Sequence, residues 1–191
     1  MAKNPERRAE LCDAALTVIA RSGLRGLTHR AIDAEAKAPR GTASNYFPRR
    51  SDVLAASADR IYERLAPDPG VLARREAEPP TRELFVEYMR DIVTRVRAHP
   101  GLMIALFELR LEATRSPDLA ARIEATLSAA YRFDTAYHAQ SGLPGGEREV
   151  ALLHWAIEGL LLDEITPSMG ASVTADEAVA LLVERLVPRT T

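Results

Sequence analysis

Residues 28–47 of the chain read THRAIDAEAKAPRGTASNYF and predict two short helices joined by a tight turn. Thr28 is placed to cap a helix over residues 28–36, because a threonine hydroxyl accepts a hydrogen bond from a free backbone N–H at a helix start. A Pro-Arg-Gly run follows and precedes a second helix over residues 40–47. These are the dimensions of a helix-turn-helix motif, whose second helix enters the major groove where the motif reads DNA.

The chemistry of the second predicted helix favours DNA binding over a purely structural motif. Its outward residues all carry groups that form hydrogen bonds with base edges or phosphates: Arg40, Thr42, Ser44, Asn45 and Tyr46. Gly41 lets a backbone approach closely. Many helical proteins contain such a pair of helices for structural reasons alone, so the pattern by itself remains a hypothesis.

The charge distribution separates the first third of the chain from the rest. Residues 1–60 contain 11 Lys and Arg and 7 Asp and Glu, a net charge of +4, whereas residues 61–191 carry −6 within a total of −2. A basic segment on an acidic remainder favours a polyanion as the partner of the first third. An excess of four charges is also within what solvated helices carry, so charge alone leaves both interpretations open.

Composition and periodicity predict an all-α protein. Of its 191 residues, 47% are hydrophobic and 27% are charged, as in an ordinary globular protein. Apolar residues recur at helical spacing between clusters of Gly and Pro, and no strand pattern occurs. Proline and glycine make residues 67–80 the clearest linker. About nine helices are predicted, at residues 5–21, 28–36, 40–47, 51–64, about 85–96, 102–114, 116–140, 150–165 and 174–186.

The two last predicted helices indicate a second subunit. The helix at residues 150–165 is apolar nearly all round, and the helix at residues 174–186 repeats the pattern. Such helices must be buried on more than one side, so one side could pack on its own core while the other meets a second copy of the chain. The alternative is that both are central core helices of one subunit. The predicted dimer interface consists of Leu153, Ile157, Leu161, Leu182 and Leu186.

The first third of the chain resembles the tetracycline-repressor (TetR) family of bacterial transcription regulators over about residues 7–56. The resemblance lies in GLRGLTHRAI at residues 23–32, in Ala36, and in RGTASNYFPRRSDVL at residues 40–54. The family pattern has a Gly before the second helix, a capping Thr followed two residues later by an Arg, and a Gly-Thr recognition helix ending in an aromatic pair. The remaining chain matches the family only in the number and order of its helices.

Three departures from the family pattern lie within this segment. The turn is Lys37-Ala38-Pro39, where the family usually has Gly-Val-Ser, so its geometry must be supplied without glycine. Asp33 stands where a small residue is common, and Ser44 stands where an aromatic residue is frequent.

The resemblance implies roles for individual residues. Base or DNA contacts are expected from Arg30, Arg40, Thr42, Ser44, Asn45 and Tyr46, and phosphate contacts from Thr28, Lys37 and Arg50. Each residue also has a plainer interpretation: Thr28 is first a helix cap, and Tyr46 could be half-buried. Arg30 and Arg50 could be solvated charges. Ile32 and Phe47 are assigned to the core.

The resemblance also implies a division of labour along the chain. We expect a helix-turn-helix DNA-binding domain at residues 1–50, a connecting helix at 51–66, and an effector-binding and dimerisation domain at 67–191. The expected function is a repressor released from a palindromic operator by a small-molecule effector, with operator DNA and a second copy of the chain as partners. The alternative is a constitutive architectural DNA binder. Candidate pocket residues are Phe85, Met89, Met103, Phe107, Arg110, Tyr131, Trp155 and Glu158.

An enzyme is the competing class of protein. The four histidines, His29, His99, His138 and His154, are far apart in sequence, and no metal or nucleophile motif occurs. A helical enzyme would have to use His154 with Glu158, at spacing i and i+4, which a hydrogen-bonded pair within a bundle explains better. The single cysteine, Cys12, excludes an internal disulfide and is interpreted as a packed thiol rather than a redox sensor. No cofactor and no metal are expected.

Targeting signals give no support for a membrane protein. The most apolar stretch, residues 151–162, is too short to span a bilayer and is interrupted by a histidine and a glutamate. The first ten residues are charged and are unlike a signal peptide. We therefore expect a cytoplasmic protein.

Overall fold

The computed structural model describes residues 4–188, and over that range it contains ten α-helices and no strand. The all-α architecture predicted from the sequence is confirmed. No helix among these residues is long and apolar enough to cross a membrane. The helices are α1 Pro5–Gly26, α2 His29–Glu35, α3 Thr42–Tyr46, α4 Arg50–Leu65, α5 Pro69–Glu76, α6 Arg82–Arg97, α7 Pro100–Ala113, α8 Pro117–Ser141, α9 Glu147–Ile165 and α10 Ala175–Leu186.

The segment predicted as a linker contains a helix, α5. The side chain of Asp68 caps it by accepting hydrogen bonds from the N–H groups of Gly70, at 2.7 Å, and Val71, at 3.1 Å. Pro69 occupies the first turn, where its missing N–H costs nothing. The linker prediction was wrong here because it counted as helix breakers the residues that start this helix.

The predicted end of the first helix is a break within α1. Gly23 has φ 63° and ψ −179°, and helical structure resumes before Gly26. Glycine adopts this left-handed φ without the steric penalty that a side chain would bring. The break changes the direction of the chain just before α2.

The helices form two compact units that interleave along the chain. The first comprises the chain up to Ala66 together with His99–Ser128, and the second comprises Pro67–Ala98 together with the chain from Ala129. Residues 99–128 belong to the first unit because α7 packs against α1: a Cβ added to Gly101 would lie 3.4 Å from the Cβ of Ala20. The assignment of functions to residues 1–50, 51–66 and 67–191 stays a prediction.

Each unit has its own apolar core, and the core of the first one frames α2 and α3. Fully burying a large apolar side chain stabilises the folded state by about 1.5–3 kcal/mol, so the buried side chains of the two cores dominate the packing. The first core is built from Leu11, Leu16 and Ile19 of α1, Ile32 of α2, Phe47 after α3, Ile61 of α4 and Leu109 of α7. The second is built from Leu84, Phe85, Tyr88, Leu143, Leu153, Val183 and Val187.

Candidate nucleic-acid interface

A histidine side chain at the start of α2 contacts the backbone at the end of α3. The Thr28 hydroxyl accepts a hydrogen bond from the N–H of Ala31, at 3.1 Å, and so caps α2 as the sequence predicted. The Nε2 atom of His29 lies 2.7 Å from the carbonyl oxygen of Phe47, which follows α3. The start of α2 is therefore capped and lies against the residue that follows α3.

The turn between α2 and α3 reaches its geometry without glycine. Lys37 has φ 51°, a left-handed conformation that costs a non-glycine residue of the order of 1 kcal/mol. The turn is closed by a hydrogen bond of 2.8 Å from the N–H of Ala38 to the carbonyl of Asp33. The surrounding hydrogen bonds maintain this strained conformation. The side chain of Lys37 is exposed.

Asp33 connects α2 to the first residues of α3. Its carboxylate accepts hydrogen bonds from the N–H groups of Gly41, at 2.8 Å, and Ala43, at 2.7 Å. The residue is 4% exposed. Sequence reasoning recorded Asp33 only as a departure from the family pattern, and a buried acidic residue on a short helix was the signal that could have identified it.

The outward face of α3 presents hydrogen-bonding groups. Ala43 and Phe47 point into the core, with 0% and 1% of their surfaces exposed. The hydroxyl of Thr42 donates to the carbonyl of Pro39, at 2.6 Å, and the hydroxyl of Ser44 donates to that of Gly41, at 3.0 Å. Both hydroxyl oxygens keep lone pairs that can accept a hydrogen bond from a base amino group.

The predicted DNA contacts differ in exposure. Thr42 and Tyr46 are half-buried, as the plainer interpretation of Tyr46 expected. The exposed members of the set are Thr28, Arg30, Lys37, Arg40, Ser44 and Asn45. All lie on α2, on α3, on the segment that joins them or, for Thr28, at the cap of α2. We refer to these eight residues as the α2–α3 face.

Arg50 requires a correction. Its guanidinium donates hydrogen bonds to the backbone carbonyls of Leu24 and Leu27, which lie at the end of α1 after its break, and the Leu24 carbonyl also accepts the N–H of Leu27. These N–H groups therefore form hydrogen bonds within the protein and are not free to contact a phosphate. The neighbouring Arg49, which sequence reasoning missed, has 79% of its side chain exposed and pairs with Asp52 at 3.1 Å.

Two assignments to the protein interior are confirmed. Ile32 and Phe47 are buried, with 0% and 1% exposed, and the guanidinium carbon of Arg8 lies 5.2 Å from the centre of the Phe47 ring. Cys12 is 2% exposed. Burial raises the pKa of the Cys12 thiol to about 11, so the reactive thiolate is absent at neutral pH.

The two residues proposed for enzymatic chemistry are neighbours on one helix. His154 and Glu158 lie one turn apart on α9, with Nε2 and Oε1 3.5 Å apart. Between residues 4 and 188, no group of three His, Cys, Asp or Glu side chains is arranged to hold a metal ion.

The candidate pocket residues are not brought together in one cavity. Met103, Phe107 and Arg110 lie on α7 in the first unit, and the other five lie in the second. Trp155 is 68% exposed, whereas Phe85 is buried in the second core. One cavity, of about 370 Å³, lies in the first unit between α1, the end of α4 and the start of α7. Another, of about 450 Å³, lies in the second unit beside His138 and the turn after α8, and none of the candidates lines either cavity.

The predicted dimer residues also need a correction. Leu153, Ile157 and Leu161 of α9 are at most 4% exposed and face their own core, so a partner cannot contact them. The opposite stripe of the same helix is exposed: Leu152 at 37%, Trp155 at 68% and Leu162 at 44%. On α10, Leu182 and Leu186 are half-buried, and Leu181 is 45% exposed. Sequence reasoning recognised two apolar sides on α9 and assigned them the wrong way round.

Comparison with known proteins identifies the family. A family model described as the tetracyclin repressor-like C-terminal domain matches residues 80–189, which is more than half of the chain. No curated protein matches at a significant level.

Solved structures share the whole fold. A TetR-family member from Streptomyces coelicolor A3 is 25% identical, with a TM-score of 0.67 over 96% of this chain and 99% of that one. The multidrug binding protein EbrR complexed with malachite green is also 25% identical, with a TM-score of 0.59 over 96% and 99%. A transcriptional regulator from Rhodococcus sp. Rha1 is 21% identical, with a TM-score of 0.70 over 94% and 95%. This chain belongs to the TetR family and is a transcriptional regulator, not an enzyme.

Proposed function

We propose that this regulator is a homodimeric repressor that binds a near-palindromic operator through the α2–α3 face and leaves it when a small-molecule effector binds. The observation that carries the proposal is the face itself. Thr42, Ser44 and Asn45 present hydrogen-bonding groups on a helix whose other side, at Ala43 and Phe47, is locked into the core. A helix fixed in this way can enter a major groove as a rigid element.

Dimerisation explains why the operator should be a near-palindrome. The exposed stripe of Leu152, Trp155 and Leu162 on α9 is the apolar surface that a second copy would cover. Two copies related by a two-fold axis present two recognition helices to two half-sites. The helix-turn-helix domain of one copy, which we call a head, would by itself contact only one half-site and bind weakly.

The effector part of the proposal draws on the relative that holds a ligand. EbrR is a multidrug binding protein and binds malachite green in its structure. We assign effector binding and dimerisation to residues 67–191, without assigning the effector to the eight pocket candidates, which the fold divides between its two units. The effector would act by binding more tightly to the form in which the two heads do not fit the operator, since a ligand shifts an equilibrium only through such a difference.

Fluorescence anisotropy tests the DNA part of the proposal. Duplexes from the regions flanking the gene are compared with a random duplex of equal length at moderate salt. We expect Thr42→Ala and Tyr46→Ala to reduce discrimination between operator and random DNA by about 1–3 kcal/mol, the value of one good base contact. Thr17→Ala is the matched control, because its hydroxyl also donates to a backbone carbonyl, at 3.0 Å, but on α1.

Two results would contradict this function. If the wild-type protein binds no flanking duplex better than random DNA, the regulator does not read an operator through this face. If it binds an operator, yet no compound from a thermal-shift screen both stabilises the protein and weakens operator binding, the effector part fails and a constitutive architectural DNA binder takes its place.

A further inference from the structure

The recognition helix α3 has no cap of its own. It begins at Thr42 after Gly41, which has φ 88° and carries no side chain that could accept a hydrogen bond from the first N–H groups. With only five residues, α3 has little internal hydrogen bonding to hold it in place. Its position must therefore come from bonds made by other parts of the chain.

Asp33 supplies these bonds from the preceding helix. Its Oδ2 accepts the N–H of Gly41 at 2.8 Å, and its Oδ1 accepts the N–H of Ala43 at 2.7 Å. Hydrogen bonds to a carboxylate are about twice as strong as neutral ones, and the helix start carries partial positive charge. Because each oxygen holds a different N–H group, the pair fixes the direction of α3 as well as its distance from α2.

The burial of Asp33 makes this arrangement specific. At 4% exposed, the carboxylate is removed from water, which is costly unless its oxygens are bonded. Bonding at Ala43 turns that residue inward, and the residues on either side of it, Thr42 and Ser44, then face outward. The side chain that sets the outward face thus lies beneath it and is not itself available to DNA.

We infer that Asp33 is the positioning residue of the recognition helix, so that operator discrimination depends on a buried carboxylate on α2. The inference rests on the proposed function, because discrimination is what the positioning serves. It differs from a general stabilising role in one respect. Loss of the carboxylate should loosen α3 while the core around Leu11, Ile19 and Ile61, which Asp33 does not bind, stays folded.

Three variants test the inference. Asp33→Ala removes both acceptors, and Asp33→Asn keeps the shape and one acceptor oxygen but places an NH₂ group against a backbone N–H. Asp68→Ala is the matched control, because Asp68 also accepts two backbone N–H groups at a helix start, on α5. Each protein is examined by circular dichroism, amide hydrogen exchange without DNA, and anisotropy with operator and random duplexes.

For Asp33→Ala we expect discrimination between operator and random duplex to fall about tenfold or more, the usual order for a lost cap, with affinity for random DNA unchanged. The amides of Gly41 and Ala43 should exchange faster than in the wild type, while those of α1 should not. Asp33→Asn should be intermediate, and Asp68→Ala should match the wild type in DNA binding. A merely structural role would lower both DNA affinities together.

The outcomes separate this inference from the proposed function. A wild-type protein without discrimination overturns the proposed function, and the exchange of Gly41 and Ala43 then still decides whether Asp33 holds α3. A wild-type protein that discriminates, with both Asp33 variants folded and equally discriminating, overturns the inference alone. Unchanged exchange at Gly41 and Ala43 in Asp33→Ala overturns it as well.

Discussion

The carboxylate of Asp13 on α1 accepts two hydrogen bonds from the guanidinium of Arg60 on α4, with 3.0 Å between Nε and Oδ1 and 2.8 Å between Nη2 and Oδ2. The side chains are 32% and 26% exposed. The bond to Asp13, together with one to Glu63, raises the pKa of Arg60. Two parallel bonds fix the relative direction of the two helices, so this pair holds α4, which starts just after α3, in register with α1.

We expect Asp13→Asn to lower the free energy of unfolding by about 1–2 kcal/mol, because one charge-assisted bond is lost and an N–H group of Arg60 loses its acceptor. This corresponds to a melting temperature lower by about 2–8 °C, measured by circular dichroism. Glu10→Gln is the control, since Glu10 forms a more exposed pair with Arg7, at 2.7 Å. Equal shifts in melting temperature for the two variants would show that the Asp13–Arg60 pair stabilises the protein no more than the exposed pair does.

Alanine variants of Arg50 and Lys37 should distinguish an effect on stability from an effect on phosphate binding. Arg50→Ala removes the guanidinium bonds to the carbonyls of Leu24, which keeps the Leu27 N–H, and of Leu27, so we expect it to destabilise the first unit by about 1–3 kcal/mol with no change in the salt dependence of DNA binding. Lys37→Ala should leave the melting temperature nearly unchanged and reduce the slope of log affinity against log salt by about one unit. Anisotropy over a salt series measures the slope. A reduced slope for Arg50→Ala would restore it as a phosphate contact.

The dimer is tested by charges placed on opposite sides of α9. Trp155→Glu lies on the exposed stripe and should give a folded monomer with much weaker operator binding, because one head reads one half-site. Leu161→Glu lies in the core and should instead unfold the second unit, because it buries an unpaired charge. Light scattering and circular dichroism distinguish the two outcomes. A wild-type mass near that of one 20.9 kDa chain would contradict the dimer.

His138 should make the second unit less stable in acid. It is 6% exposed, its Nε2 has no hydrogen-bond partner among the described residues, and its ring centre lies 4.9 Å from that of Phe85. Burial lowers the pKa of His138 below its usual 6.5, although the Gly145 carbonyl and the Glu149 carboxylate act in the opposite direction. Between the lowered pKa of the folded state and pH 6.5, the unfolded chain therefore binds more protons than the folded one. The contribution of His138 to stability is complete above about pH 6.5 and is lost as the pH falls below it and through the lower pKa of the folded state.

Urea unfolding at about pH 7.5 and about pH 5.5 measures this effect. We expect the loss of stability on acidification to be smaller in His138→Phe, which has no proton to bind, than in the wild type. His99→Gln, which changes an exposed histidine, should behave like the wild type. An equal loss of stability on acidification in His138→Phe and in the wild type would show that other groups cause the loss.

Local signals in the sequence predicted the framework of the motif. The Thr28 cap, the core positions of Ile32 and Phe47, and the need for a turn without glycine all follow from residues within a few positions of each other. Hydrogen-bond caps and helical periodicity act over one or two turns, and a sequence displays both directly. The same reasoning failed at α5, because proline serves both to end a helix and to start one.

Tertiary packing decided which side chains of the motif are free. Asp33 and Arg50 look like surface charges in the sequence, yet each bonds to backbone groups, Asp33 to Gly41 and Ala43 and Arg50 to Leu24, 26 positions earlier. On α9, periodicity revealed two apolar sides but could not tell which of them met the subunit's own core. The sequence alone thus determined most of the helices, the family resemblance and the position of α3. Its orientation and the surface left for a partner were decided by the folded structure, because hydrogen bonds and burial between distant segments exist only once those segments pack together.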